Sequence, residues 1–207
     1  KRNALSIELR TQFAEALRGA ARDDAVRCTL VTGSGSAFCA GMDTSQFGAG
    51  RPLVDSTEAF LGALLEHPKP LVAAVNGPAL GGGFVLALLC DLRLASESAR
   101  FGFPEVARGI PASYGAARAA LPAAVATDLA LTGRVVDAAE AMRLGIVSEV
   151  IPGPGFAAHA AQRAAELASL PASATATVTA WARADRAGAE ALLALEREAF
   201  RAAVLRD

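Results

Sequence analysis

The pattern of apolar and polar positions divides the chain into a first part of alternating strands and helices and a second part of helices alone. Residues 3–21 have the spacing of an amphipathic helix, which Ser6 can cap. The predicted apolar face of this helix comprises Leu9, Phe13, Ala16 and Leu17. Further helices are predicted over 56–66 and 84–89.

Short apolar runs between these helices predict the strands of a sheet. The run at 69–77 is apolar on both faces, as in a sheet interior, and a shorter run lies at 26–33. Two more strands are predicted within 92–105, and loops over 34–43 and 48–55. The repeated order of strand, loop and helix predicts an α/β fold with right-handed crossovers.

The composition changes after Pro154, where alanine, leucine and arginine dominate. This predicts a helical tail that is interrupted near Pro171 and Gly188. A stripe on its last helix can pack on the core or on another subunit, and it comprises Leu192, Leu195, Ala199 and Phe200. We therefore divide the chain into a core, 1–153, and a helical tail, 154–207.

Composition and charge exclude several classes of protein. The chain has 207 residues, of which 53% are hydrophobic and 20% charged, with a formal net charge of −1. Such a chain can bury a large core and has no charge that favours nucleic acid or an anionic membrane as partner. Its three cysteines show no metal-ligand spacing, and no apolar run approaches the roughly 20 residues of a membrane span. We expect a soluble cytoplasmic protein with reduced thiols and no metal.

Three consecutive glycines, at 81–83, lie directly before the apolar helix. They do not match a dinucleotide fingerprint, a phosphate loop or a nucleophile elbow. Two readings remain, a tight packing contact or a site where main-chain N–H groups bind a ligand oxygen. A second glycine loop, "AFCAGMD" at 37–43, can supply another amide, and two amides that converge on one oxygen form an oxyanion hole.

Six segments, in this order, resemble the enoyl-CoA hydratase/isomerase (crotonase) family. They are "NALS", "LVTGSGSAFCAGMD", "KPLVAAVNGPALGGG", "CDLRLAS", "ARFGFPEVARGI" and "LTGRVVDAAEAMRLGIVSEVI". The resemblance implies a crotonase-like spiral of ββα turns over 1–153. Since the sequence begins at Lys1 without Met, an N-terminal strand of this spiral can be missing from it. It also implies acyl-CoA thioester substrates, no cofactor beyond the coenzyme A of the substrate, and a tail that builds a homotrimer or a dimer of trimers.

The resemblance assigns roles to residues of both glycine loops. The main-chain amides of Met42 and Gly82 correspond to the oxyanion hole, which Gly41 and Gly81 flank. Coenzyme A would lie near Ala40. The cations Lys1 and Arg2 are candidates for its phosphates or are solvated surface groups.

One departure from the family pattern bears on the reaction. The hydratases use two glutamates, and Glu105 in "FGFPEV" matches the second, whereas Val85 replaces the first. A single carboxylate beside an apolar wall suits removal and return of one proton better than addition of water. We therefore expect isomerisation of an enoyl-CoA double bond, with Glu105 as acid and base, and an elevated pKa for this carboxyl in its desolvated surroundings.

Other interpretations stay open at this stage. The chain could be a hydratase with one catalytic glutamate, an acyl-CoA-binding protein without chemistry, or an enzyme of an unusual aromatic or polyketide thioester. Asp43 is expected to brace its loop, and Tyr114 to line the acyl pocket or to fill space. Glu58 is a candidate for a second polar group but is more typical of a solvated helix face.

Overall fold

The computed structural model describes residues 2–205, without the side chains of Ala187 and Glu190. In these residues, seven strands form two sheets. The strands are β1 Thr29–Thr32, β2 Leu71–Val75, β3 Pro78–Leu80, β4 Leu92–Ser96, β5 Arg100–Gly102, β6 Val135–Asp137 and β7 Glu149–Ile151. The described helices are α1 Ile7–Arg22, α2 Arg51–Leu65, α3 Gly82–Leu89, α4 Tyr114–Ala120, α5 Ala123–Thr132, α6 Ala138–Arg143, α7 Phe156–Ser169, α8 Ala172–Ala184 and α9 Ala187–Val204. Three 3₁₀ helices, Thr44–Gln46, Pro104–Arg108 and Gly153–Gly155, complete the set.

Each ββα turn contributes one strand to each of the two sheets. The first has the order β1-β2-β4-β7 and is parallel throughout, and the second has the order β3-β5-β6. Successive strands β2 and β3, like β4 and β5, lie in different sheets. All five residues of β2 are buried, as its apolar run predicts. The α/β prediction is confirmed.

The second sheet places the glycine triplet beside the segment after β5. Strands β3 and β5 are parallel, with Leu80 opposite Gly102. The residues that follow both strands therefore emerge at the same edge of the sheet, where parallel sheets commonly bind ligands. Below this edge the rings of Phe84 and Phe103 pack with centroids 4.9 Å apart, and both residues are fully buried. This contact fixes the start of α3 against the segment after β5.

Helix α1 confirms the cap but not the whole predicted face. Ser6 accepts a hydrogen bond from the Leu9 amide at 3.1 Å. Ala16 is exposed, and Arg10 is buried in the face that packs on α2. The guanidinium of Arg10 donates to Thr57 Oγ1 at 3.0 Å, so this buried cation has a hydrogen-bond partner on the facing helix.

Helix α2 begins five residues before the predicted start, so the expected loop over 48–55 is shorter. Gly50, at φ 59°, precedes the helix, and Pro52 lies in its first turn. Proline tolerates this position because its missing N–H would have no partner there. The glycine and proline that indicated a loop therefore mark a helix start.

The helical tail is interrupted where the sequence predicts. Helix α7 ends at Ser169 just before Pro171, and the chain turns at 185 and 186, two residues before Gly188, which lies inside α9. In the predicted stripe, Leu195 is 63% exposed, whereas Leu193, outside the stripe, is 3% exposed and lies against Gly115 of α4. The core contact of α9 therefore uses Leu193, and Leu195 stays available for the predicted subunit contact. In the part of the chain that the structure describes, no helix is long and apolar enough to cross a bilayer.

Candidate active site

Two loops meet at the edge of the second sheet. Cys39 and Ala79 form a parallel bridge, and the Leu80 amide donates to the Cys39 carbonyl at 3.0 Å. A Cβ atom at Gly83 would overlap that same carbonyl oxygen. The third glycine of the triplet therefore lets the two loops approach each other, in agreement with the interpretation of the triplet as a tight packing contact.

Gly41 of the first loop and Gly82 of the triplet leave two main-chain amides side by side. Gly41 adopts φ 91°, and a Cβ atom there would lie 3.3 Å from the Gly82 nitrogen. A Cβ atom at Gly82 would lie 3.7 Å from the Met42 nitrogen. Within residues 2–205, neither the Met42 nor the Gly82 N–H donates to a protein acceptor, and both residues are half-buried. A ligand oxygen can therefore reach both donors.

On each loop, an amide next to the unpaired donor is bonded. The Gly81 amide donates to the Gly102 carbonyl at 2.9 Å. On the other loop, the Asp43 amide donates to the Leu5 carbonyl at 3.3 Å. Each unpaired donor thus adjoins a bonded amide, which helps to fix the orientation of the local backbone.

Two residues before α1 for which no role was predicted, Asn3 and Leu5, hold the first loop in place. Leu5 donates its amide to the Gly41 carbonyl at 2.8 Å, and its side chain lies beside Gly82. The Asn3 amide group donates to the carbonyls of Ala37 and Phe38 at 2.8 and 3.1 Å. The "NALS" segment therefore braces the loop, a function that only the fold reveals.

Glu105 lies directly against the glycine triplet. It belongs to the 3₁₀ helix after β5, and a Cβ atom at Gly81 would lie 3.0 Å from its Oε2. Any side chain at 81 would displace the carboxylate, and Gly81 also has φ 52°. Burial raises the pKa of the Glu105 carboxyl above its ordinary value, against a smaller opposing effect of a main-chain hydrogen bond and of Arg108.

The first turn of α3 presents hydrocarbon. Val85 is 9% exposed, its amide donates to the Gly81 carbonyl at 3.0 Å, and this turn contains no acidic residue. The structure thus brings together Met42, Gly82 and Glu105, with Val85 in the adjoining turn.

Three other candidates make contacts of their own. Asp43 caps the 3₁₀ helix after the first loop and accepts from the Ser45 amide at 3.1 Å, consistent with a brace. The Tyr114 hydroxyl is 3.4 Å from Thr127 Oγ1 on α5. Glu58 forms an ion pair with Arg201 of α9.

The residues predicted for coenzyme A lie at the outer end of the first loop. Ala40 is exposed, and its amide donates to the Arg2 carbonyl at 3.1 Å. Arg2 is exposed as well, so its cation is available to a ligand beside Ala40. Lys1 lies outside the described residues.

The comparisons with known proteins decide the family. A model of the family described as "Enoyl-CoA hydratase/isomerase" matches residues 1–205. The chain belongs to the enoyl-CoA hydratase/isomerase family. Within this family, a "Probable enoyl-CoA hydratase" of Rhizobium meliloti is 43% identical over 175 residues, which are 81% of this chain and 67% of the relative.

Other members of the enoyl-CoA hydratase/isomerase family agree over most of the chain. The 2,3-dehydroadipyl-CoA hydratase of Escherichia coli is 35% identical over 206 residues, or 96% of this chain and 81% of the relative. The crystal structure of an enoyl-CoA hydratase from Mycobacterium avium subsp. paratuberculosis superimposes with a TM-score of 0.86 at 29% identity, covering 99% of this chain and 85% of that one. The crotonase fold is therefore confirmed, and the chain is an acyl-CoA enzyme of this family.

The thiol nearest the amide pair belongs to Cys39, in the first glycine loop. In the described residues, no three His, Cys, Asp or Glu side chains form a group that could hold a metal ion. Burial raises the pKa of the Cys39 thiol to about 11, so this sulfur stays protonated and is a poor nucleophile.

Proposed function

We propose that this enzyme moves a double bond within an enoyl-CoA thioester by proton transfer. The main-chain amides of Met42 and Gly82 hold the thioester oxygen, and Glu105 carries the proton. The observation behind this proposal is the carboxylate of Glu105 against Gly81, one residue from an unpaired amide pair.

The reaction needs one base and one place for negative charge. Glu105 removes a proton from Cα of a 3-enoyl thioester, and the electron pair moves onto the carbonyl oxygen to give a dienolate. The Met42 and Gly82 N–H groups donate to that oxygen as its charge develops. The dienolate then takes the proton back from Glu105 at Cγ, which leaves a 2-enoyl thioester and a regenerated carboxylate. An elevated pKa brings the Glu105 carboxyl closer to the range in which it can both accept and return a proton.

The apolar first turn of α3 favours isomerisation over hydration. Water addition requires a group that holds the water and takes its proton while a second proton reaches Cα. Val85 offers no hydrogen bond to such a water, and it is almost fully buried. A site with one carboxylate is sufficient for a proton that leaves and returns to the same substrate.

The family pattern also underlies our proposals for the coenzyme A binding path and for the oligomeric state. Exposed Ala40 and Arg2 support a path for coenzyme A along the outer end of the first loop. Lys1 remains a candidate for its phosphates. A trimer or dimer of trimers stays a prediction, and the 70% exposed Trp181 on α8 is available for such a contact.

Hydration of an enoyl-CoA by Glu105 alone is the second candidate. The names of two relatives favour it, a "Probable enoyl-CoA hydratase" of Rhizobium meliloti and the 2,3-dehydroadipyl-CoA hydratase of Escherichia coli. The difference between the two functions lies in Val85.

Parallel assays with 3-enoyl-CoA and 2-enoyl-CoA thioesters test the proposal. We expect the wild-type enzyme to isomerise the first faster than it hydrates the second. Glu105→Gln should lower isomerisation by about 10²- to 10⁴-fold, because the acid/base is lost, while binding of the thioester persists. Val85→Glu should raise hydration relative to isomerisation, with Val85→Gln as the control of similar shape without charge.

Two outcomes contradict the proposal. Faster hydration than isomerisation by the wild-type enzyme would favour the second candidate. Unchanged turnover in Glu105→Gln would remove the carboxylate from the mechanism altogether.

A further inference from the structure

The segment that follows Glu105 is exposed and has few contacts of its own. Residues 107–111, which comprise the end of the 3₁₀ helix and the start of its connection to α4, are all exposed. At the upstream end, the Ile110 amide donates to the Glu105 carbonyl at 3.2 Å. A segment with exposed backbone opens easily unless its ends are fixed. The position of Glu105 therefore depends on what holds the downstream end.

Helix α9 supplies that anchor through one carboxylate. Glu196 Oε1 accepts from the Gly115 amide at 2.6 Å, and its Oε2 accepts from the Ser113 hydroxyl at 2.7 Å. Ser113 occupies the cap position of α4 but makes no cap hydrogen bond itself. The capping carboxylate thus comes from a residue 81 positions away in the sequence. Hydrogen bonds to an ionised carboxylate are stronger than neutral ones.

The two helices are also in close contact at this point. A Cβ atom at Gly115 would lie 2.7 Å from the Leu193 nitrogen, so α9 lies directly on the start of α4. Leu193 is 3% exposed, one turn before Glu196. The Glu196 carboxylate therefore projects from a helix whose backbone is fixed against α4 by close packing.

We propose that Glu196 is a positioning residue for Glu105, a role that rests on the proposed function. Phe103 fixes the upstream side of Glu105 in the core, and Glu196 fixes the downstream side through Ser113 and Gly115. Loss of the anchor lets the connector move and displaces the carboxylate from the thioester carbons. A small displacement of a reacting group lowers turnover strongly and leaves substrate binding nearly intact.

Glu196→Ala in the full chain tests this role. We expect kcat to fall about 10- to 100-fold with little change in KM, and amide hydrogen exchange to increase over 106–115. Glu196→Gln should recover most of the activity, because its amide oxygen still accepts from Gly115 and its nitrogen can donate to Ser113. Glu198→Ala, which removes an exposed carboxylate from the same helix, serves as the matched control and should leave both readouts unchanged.

The readouts separate this role from a general loss of structure. If Glu196→Ala unfolds, Ser113→Ala removes only one of the two bonds and should produce a smaller change of the same kind. Wild-type kcat and wild-type exchange over 106–115 in Glu196→Ala would overturn the proposal. Hydrogen exchange does not depend on turnover, so the two proposals can fail independently. An active Glu105→Gln variant would contradict the proposed function, whereas unchanged exchange in Glu196→Ala would contradict the anchor.

Discussion

The glycine loops, 38–42 and 81–83, and the helical tail, 156–205, are built on different principles. The loops present main-chain amides, and their glycines admit a neighbouring backbone or carboxylate. The tail is joined to the core by charged side chains, among them Arg183 with Asp91 and Glu196 with the start of α4. Function in the loops therefore depends on the absence of side chains, whereas attachment of the tail depends on particular ones.

The difference predicts different consequences of substitution. In the loops, replacing a glycine with alanine should reduce either stability or activity, depending on which neighbouring atoms the new methyl group contacts. In the tail, removing one charged group should leave several buried partners without compensation. Three experiments test this contrast, beginning with the largest expected effect.

Asp91→Ala should be the most destabilising change in the tail's attachment. The Asp91 carboxylate accepts from Arg183 at 2.6 Å and from the Leu71 amide at 2.8 Å, and Arg186 lies 3.7 Å away. The Asp91 and Arg183 side chains are only 13% and 14% exposed. Removing the carboxylate leaves the Leu71 amide and the Arg183 Nε without an acceptor and two partly buried cations without their counter-charge. We expect the free energy of unfolding to fall by about 3–5 kcal/mol. Denaturant unfolding measures it.

A double variant serves as the control for Asp91. Asp91→Leu combined with Arg183→Met removes both charges and should recover part of the loss, because an apolar pair needs no compensation. A loss below about 1 kcal/mol in Asp91→Ala, typical of an exposed pair, would contradict the structural importance of this contact.

Neighbouring glycines should separate fold from activity. Gly83→Ala places its methyl group on the Cys39 carbonyl, so we expect destabilisation of about 1–3 kcal/mol from overpacking. Gly82→Ala meets only the Leu5 side chain at 3.1 Å, which can move, and the space before the Met42 amide. That variant should fold normally and lose about 10²-fold in kcat, the effect of a lost oxyanion contact.

Thermal unfolding and turnover, measured on both glycine variants, decide the outcome. Full activity in Gly82→Ala would mean that the two amides do not share a ligand oxygen. A melting temperature in Gly83→Ala equal to that of the wild-type enzyme would contradict the close approach of the two loops.

The same contrast explains which features could be predicted from the sequence. The loops were predictable because glycine spacing and local segments determine which main-chain groups are left bare, and Met42, Gly82 and Glu105 do lie together. The tail's contacts join residues far apart in the chain, such as Glu196 with Gly115, and no local periodicity reports them. The core contact of α9 uses Leu193, which lies outside the predicted stripe, whereas Leu195 is exposed and stays a candidate for the predicted subunit contact. Arg10 is similar, because its buried guanidinium lies against Thr57 on the facing helix and near the opposite charge of Asp43, and local periodicity reports neither contact.

The smallest expected effect concerns Glu105, the carboxylate that lies against Gly81. Burial raises the pKa of Glu105, so the folded enzyme binds this proton more tightly than the unfolded chain. The contribution of Glu105 to stability is therefore greatest below its ordinary pKa of 4.5 and falls as the pH rises through the elevated value. Glu105→Gln removes the desolvated charge, and we expect its melting temperature to exceed that of the wild-type enzyme at neutral pH but not below pH 4.5. Glu198→Gln, at an exposed position, should show no such dependence. A Glu105→Gln variant that is less stable at neutral pH would indicate that the carboxylate is held for stability, and would place this residue with the charged contacts of the tail.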